Sequence, residues 1–418
     1  MTGQRQFSEH LSGASLVAIL CTAQLLVQIG SAVWPALLPD LIPLWGLTNS
    51  EAGWITAIFL GAYMLAVPVL VPLTDRFDPR HVYLFGVGLI CLGHLLFGLS
   101  AEGFWSAMFA RALSGIGWAG TYMTGLKLLA DKVDGKLMSR ATAGHAASIG
   151  ISGALSFSFA DVLARPFGWP APFLAASASA LVAWLIVLLA VPPGSPVQGA
   201  LKGGAVFDFR PVLRNRSAMA YALTYCIHTL EFHALRGWGV AFLGFVAASA
   251  GTTTSLFSPT AALTMIGILA TVATVAGNEL SIRFGRRRLI GGSMLASIVC
   301  ACLLGLTAPQ SYFIAVILIL TYGFMISLDS SSLIAGTAGS AEPSRRGATL
   351  AVHSSLGYAG GFIGPLIVGW TLDASGGMSP ESWALAFALI AACVLCSFIV
   401  FWIMRPRELA GDRFDGKA

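Results

Sequence analysis

Charge is what this sequence has least of. Lys, Arg, Asp and Glu together make up 10% of its 418 residues, against about 25% in a soluble domain. Hydrophobic residues reach 56% and the mean hydropathy is +0.79, so a soluble globular class is excluded and a membrane protein is expected. Cysteine is also sparse. All seven (Cys21, Cys91, Cys226, Cys300, Cys302, Cys393 and Cys396) fall inside apolar runs. The CxxC spacing of Cys393 and Cys396 has no second pair and no βαβ pattern beside it, so it reads as small packing residues rather than redox or metal chemistry. No H-E-x-x-H, nucleophile–base pair or metal-ligand spacing is present, so neither an enzyme nor a resident metal or cofactor is expected. The first apolar run, from about Ala14, is too long for a signal-peptide core, so no cleavable leader is expected.

What fills the chain instead is long apolar runs. A helix needs about 20 apolar residues to cross the hydrocarbon core of a bilayer. Twelve such runs can be read, at about 15–41, 52–73, 81–100, 104–130, 139–163, 170–192, 217–247, 256–281, 288–307, 310–335, 347–373 and 382–404. Placing the amino terminus inside puts 20 of the 24 Lys and Arg residues on cytoplasmic segments, and the outer loops keep only Arg165. That asymmetry predicts a multi-pass protein of the cytoplasmic (inner) membrane with both termini in the cytoplasm. The net charge of +5 is therefore a topology signal, and no nucleic-acid partner is expected. Short loops and the lack of a soluble domain leave little surface for signalling, and a monomer in the lipid bilayer is expected.

Polar, Pro/Gly-rich sequence is concentrated in one place, Pro192 to Ser217, and it divides the chain six spans from six. The predicted organisation is an amino-terminal six-helix bundle over 1–192, a linker over 193–216, and a carboxy-terminal bundle over 217–418. The halves repeat. "LTDRFDPRHVYLFG" from Leu73 answers "LSIRFGRRRLIGG" from Leu280, and "GWPAPF" from Gly168 answers "SWALAF" from Ser382. Such parallel repeats hold substrate between them at mid-depth in several designs of secondary transporter.

These residues resemble the major facilitator superfamily over nearly the whole chain. The family loop Gly-x-x-x-Asp-Arg-x-Gly-x-Arg-Arg is matched here by Asp75, Arg76 and Arg80, with Val71 and Asp78 in place of its glycines. The second copy keeps Arg283, Gly285, Arg287 and Arg288, with Asn278 and Ile282 where Gly and Asp belong. Span 4 carries the family's Arg-x-x-x-Gly-x-Gly as Arg111, Gly115 and Gly117. With Gly120 this run also matches G-x-G-x-x-G, but inside an apolar span the glycines read as close helix packing. At the place of the span-5 antiporter signature the proline is missing (Gly150 to Ala154). The resemblance implies an all-α membrane protein, twelve transmembrane helices in two pseudo-symmetric six-helix bundles. It further implies a cytoplasmic charge lock of Asp75, Arg76, Arg80 and Arg283, and alternating access.

Against this apolar background the segment "YCIHTLEFHALRGW" (Tyr225 to Trp238) of span 7 stands out. An ionisable group within a span costs at least ~2.5–3.5 kcal/mol on insertion scales and normally faces a partner or a water-filled cavity. At 100° per residue Tyr225, His228, Glu231 and Trp238 share one face, Arg236 lies at its edge, and His233 points away. Five residues apart, Glu231 and Arg236 are not ideal helical neighbours. Glu231 is expected to pair with Arg111, and Arg236 with Asp329. Buried carboxyl and imidazole groups suit proton exchange, and arginines suit oxyanions. The expected site is Glu231, His228 and Asp329 for proton coupling, with Arg111, Arg236, Tyr225, Trp238 and Trp118 for substrate. The expected function is proton-coupled symport of a small organic anion. The alternatives are a proton-coupled antiporter exporting a drug or metabolite and a non-transporting sensor or assembly factor on the same fold.

Overall fold

The computed structural model describes residues 12–74, 76–130, 133, 135–193, 209–251, 257–307 and 311–409. Asp75 of the expected lock, and 194–208 of the expected linker, lie outside the described residues. The described chain is all helical. In order it contains α1 (Gly13–Gln28), α2 (Val33–Ala36), α3 (Leu38–Trp45), α4 (Asn49–Leu73), α5 (Pro79–Ser100), α6 (Phe104–Ala119), α7 (Tyr122–Ala130), α8 (Gly135–Phe167) and α9 (Pro170–Ala190). Then follow α10 (Arg210–Arg214), α11 (Arg216–Ser249), α12 (Pro259–Phe284), α13 (Arg286–Thr307), α14 (Tyr312–Ser327), α15 (Ser330–Ser340), a 3₁₀ turn (Pro343–Arg345), α16 (Arg346–Ala374) and α17 (Pro380–Met404).

These helices make twelve membrane spans, of which nine are long and apolar enough by length and composition among the described residues. The other three depart for physical reasons. Span 1 is divided into α1, α2 and α3, with Pro43 inside α3. Span 4 is divided into α6 and α7 at Gly120 and Thr121. Span 7 is the single helix α11, 34 residues long, whose hydropathy is lowered by His228, Glu231, His233 and Arg236. Span 10, expected as one helix over 310–335, is also divided, into α14 and α15 at Leu328 and Asp329. The divisions of spans 4 and 10 correspond across the repeat. Ser327 and Ser330 lie 208 positions after Ala119 and Tyr122, close to the offset of about 207 between Leu73 and Leu280.

Local sequence explains where the helices begin. Pro79 occupies the first turn of α5, and Asp78 before it accepts a hydrogen bond from the Arg80 N–H at 2.9 Å, an N-cap that satisfies one of the leading N–H groups while Pro79 has none to satisfy. The residue that replaces a family glycine thus starts a helix. At α4, Thr48 and Glu51 form a reciprocal capping box. The Asp373 carboxylate adds acceptors for Asn49 N–H at 3.0 Å and Ser50 N–H at 2.7 Å.

The chain divides into two compact units, one of residues 1–37 and 58–201, the other of 38–57 and 202–418. In the first, Leu20, Tyr83, Val87, Leu129 and Ala183 form the core between spans 1, 3, 4 and 6. There Gly86 lets α5 approach span 4, because a Cβ on it would meet the Gly117 carbonyl oxygen at 2.6 Å and Gly120 Cα at 2.9 Å. In the second, Tyr221, Ile290, Met294, Leu333 and Phe401 join spans 7, 9, 10 and 12. There α11 and α16 pack along their length, and a Cβ on Gly360 of α16 would collide with the Cys226 carbonyl. Large apolar side chains such as Trp105 and Leu189 stay exposed, as helices bounded by lipid allow.

Candidate functional site

Of the ionisable groups of span 7, His228 and Glu231 are buried within the second unit, and His233 and Arg236 are half-buried. His228 and Glu231 are 8% and 4% exposed, and Asp329 of span 10 is 4% exposed. Asp329 stands at the division of span 10, immediately before α15. A carboxylate there faces the positive end of a helix dipole. Its Oδ1 lies 2.8 Å from His228 Nδ1. The two atoms are close enough to form an ion pair if the imidazole carries a proton, but among the described residues neither atom has a partner in hydrogen-bond geometry.

The His228 ring is one layer of an aromatic stack. Tyr225 lies 5.5 Å from it, centroid to centroid, and His353 of α16 lies 4.1 Å from Tyr225 on the other side. His353 is 3% exposed. Its Nδ1 is 2.9 Å from the Thr337 hydroxyl, while its Nε2 is buried with no hydrogen-bond partner among the described residues. This second histidine is absent from the sequence-derived set. The signal was available, because an imidazole in the small-residue run of span 11 meets the same burial cost as those in span 7.

Glu231 has different surroundings. The Tyr322 hydroxyl of α14 hydrogen-bonds its carboxylate, with Ser297 of α13 beside it, and its Oε1 has no hydrogen-bond partner among the described residues. The carboxyl also lines a cavity of about 20 Å³ together with Trp238, Phe242, Tyr322, Trp383 and Phe387. That is room for about one water. Trp238, expected at a substrate surface, is instead 2% exposed. It packs edge-on to Trp383 and its indole N–H donates to the Pro365 carbonyl at 2.9 Å. The indole is fixed inside the bundle because a buried N–H needs an acceptor. Asp329 pairs with His228 where Arg236 was the expected partner. Arg236 lies eight residues along α11 from His228, about 12 Å at the helical rise, and its guanidinium sits over the Phe232 ring at 5.5 Å.

In the first unit Arg111 is 3% exposed. Its guanidinium lies over the Phe59 ring at 4.6 Å, and its Nη1 donates to the Ser31 carbonyl at 3.4 Å. Aromatic rings continue from there along the division of span 4. Phe59 and Tyr63 flank Trp118 at 5.4 and 4.4 Å, Trp118 stacks on Tyr122, and Tyr122 stacks on His145. Trp118 and Tyr122 are half-buried.

The groups expected in the charge lock are placed as follows. Arg80 donates to the Leu188 carbonyl at the end of α9, where a cation also suits the helix dipole. Arg76 is exposed. Arg283 pairs with Glu279 one turn away at 3.0 Å on an exposed surface, an arrangement that contributes about 0.3–0.5 kcal/mol. Two other polar groups in the spans serve structure: Lys127 Nζ donates to the Thr74 carbonyl at 3.0 Å, and Asp161 pairs with Arg165 at 2.8 Å.

The sequence profile of the Major Facilitator Superfamily matches residues 20–270 and 233–417. An uncharacterized MFS-type transporter of Bacillus subtilis, YbcL, is 26% identical over 320 residues, 74% of this chain and 77% of its own length. Human protein spinster homolog 1 is 25% identical over 244 residues, and the match spans about half its length (46%) and 55% of this chain. Among solved structures, a mutant of the nucleoside transporter NupG superposes with a TM-score of 0.77 at 13% identity, over 93% of this chain and all of its own. A bacterial homolog of the human lysosomal transporter spinster, inward-facing and occupied, gives 0.73 at 16% identity, over 97% and 99%. At these identities the structural likeness is one of fold.

Proposed function

The chain belongs to the major facilitator superfamily, and from that premise we propose that it carries a small organic anion across the cytoplasmic membrane by proton-coupled symport. Membership makes it a multi-pass transport protein for a small molecule, not an enzyme. The proposal concerns what drives transport and what is carried.

The observation that carries the coupling is the buried contact of His228 with Asp329 at the division of span 10. Interrupted hydrophobic segments at corresponding places in two halves point to the binding region of repeat-built transporters, and span 4 is divided 208 positions earlier. Loss of a proton from an imidazolium–carboxylate pair would leave the Asp329 carboxylate without a counter-charge, so proton release would be tied to a change in what that carboxylate faces. Glu231, with one free carboxylate oxygen beside a water-sized cavity, is a second proton site. Arg111 and Arg236 supply guanidinium groups, whose fork of donors matches a carboxylate. Tyr225 and Trp118 supply ring surface. The concentration of basic residues on one side, 20 of 24, supports cytoplasmic termini.

A second reading rests on the run of rings from Phe59 to His145. An aromatic or amphipathic metabolite exported by proton antiport would use that surface. One experiment separates the two. Ligands are found by thermal shift of the purified protein across carboxylates and aromatic metabolites, since a ligand that binds the folded state raises its stability. Uptake into proteoliposomes is then measured with and without an acid-outside gradient. Gradient-stimulated uptake of a carboxylate is the expected result, with Glu231→Gln losing the stimulation. Stimulation of efflux instead would establish the antiport reading. Equal uptake with and without the gradient would remove proton coupling from both.

A further inference from the structure

The basic end of the second unit, where α11 begins and α17 ends, carries a feature that solute transport does not use. A recess of about 810 Å³ there is lined by Arg216, Phe398, Ile399, Trp402, Ile403 and Arg405, among few others. Among the described residues its charged lining groups are the two arginines. Its wall consists of side chains of the last turns of α17, among which Ile399, Trp402 and Ile403 are exposed. A second recess of about 520 Å³, more polar, shares Arg216 and Arg405. We infer that the first recess binds the headgroup of an anionic phospholipid, with its acyl chains along the Phe398–Trp402 face.

Three observations support this. First, the positions of the two guanidinium groups are built in. Arg216 Nη2 donates to the Ile403 carbonyl at 2.5 Å, which anchors one nitrogen and leaves the rest of the five-donor fork for a phosphate. Arg405 ends α17 in the left-handed region at φ 47°, a conformation that costs a non-glycine residue energy and holds this side chain at the rim of both recesses. Second, the Trp402 indole is held by the Arg287 guanidinium 5.1 Å above its ring and by Phe398 at 6.1 Å. A tryptophan at the headgroup level is where its amphipathic ring is most stable. Third, Arg210 and Arg214 of α10 immediately precede this end, with Leu213 exposed between them. The sequence pattern assigns these arginines to the cytoplasmic leaflet, which holds the anionic lipids in most membranes, and basic pockets at helix ends there bind such headgroups. A soluble phosphate would use the two arginines but gain nothing from the apolar wall.

The test uses the full chain in neutral detergent. Phosphatidylglycerol, phosphatidylethanolamine and inorganic phosphate are each titrated, with bound lipid counted by native mass spectrometry and stability followed by thermal shift. Phosphatidylglycerol is expected to be retained and to raise Tm, weakening with added salt. The other two are expected to do neither at equal concentration. Arg405→Gln, whose side chain makes no hydrogen bond or ion pair among the described residues, should bind phosphatidylglycerol about fivefold more weakly, and Arg405→Lys should retain binding. Wild-type affinity in Arg405→Gln would overturn the inference, and so would a Tm rise with phosphate alone. If Arg405→Gln does not fold, the wild type still decides: equal retention of the two lipids, or binding insensitive to salt, rejects the site.

Discussion

Asp329 shows how one residue can be read at three depths. Its charge inside an apolar run marked it as functional, because no span keeps an unpaired carboxylate without cost. Its partner was not legible. His228 is about a hundred residues away in sequence, and only the division of span 10 brings the carboxylate to the imidazole, at 2.8 Å. Arg236 was expected there because charge alone favours an arginine, but α11 places it two turns away over Phe232. The pair is a structural commitment as well as a chemical one. Replacing Asp329 with Ala strands a buried imidazole and should destabilise the protein by about 3 kcal/mol or more, measured as a loss of thermal stability in detergent. The double replacement with His228→Ala should lose less than the sum of the two single changes. An additive pair would mean that the two groups do not stabilise each other.

At the scale of the helices, apolar length and turn chemistry made most of the fold legible. Nine of the twelve spans follow the runs as single helices, and Asp78–Pro79 could be read as a helix start. The divisions of spans 1, 4 and 10 were not legible, because hydropathy is blind to whether an apolar run is one helix or two. For span 10 the division depends on tertiary support, since the Leu328 carbonyl lies where a Cβ on Gly277 of α12 would stand. The glycines of span 11 were legible as close packing, and the structure gives α11 as the partner of Gly357, Gly360 and Gly364. Gly360 is the tightest point. Gly360→Leu should separate α11 from α16, lower Tm, and cost about 1–3 kcal/mol or more through overpacking. Gly347→Leu on the same helix, where nothing lies within 4 Å, is the control and should leave Tm unchanged.

For the whole molecule, two halves of one design carry unlike chemistry. The first unit presents Arg111 and a run of rings along the division of span 4, and the second presents carboxyl and imidazole groups around the division of span 10. Sequence reasoning found the repeat and the charged members. It missed His353, Tyr322 and Phe59, whose roles come from neighbours on other helices rather than from their own spans. Proton coupling through Asp329 is the central claim. Its most direct measurement compares exchange with accumulation in proteoliposomes bearing Asp329→Asn, using a solute identified by thermal shift. Counterflow exchange should persist, because substrate contacts remain, while accumulation driven by a pH gradient should vanish. Accumulation at the wild-type level in Asp329→Asn would contradict the account.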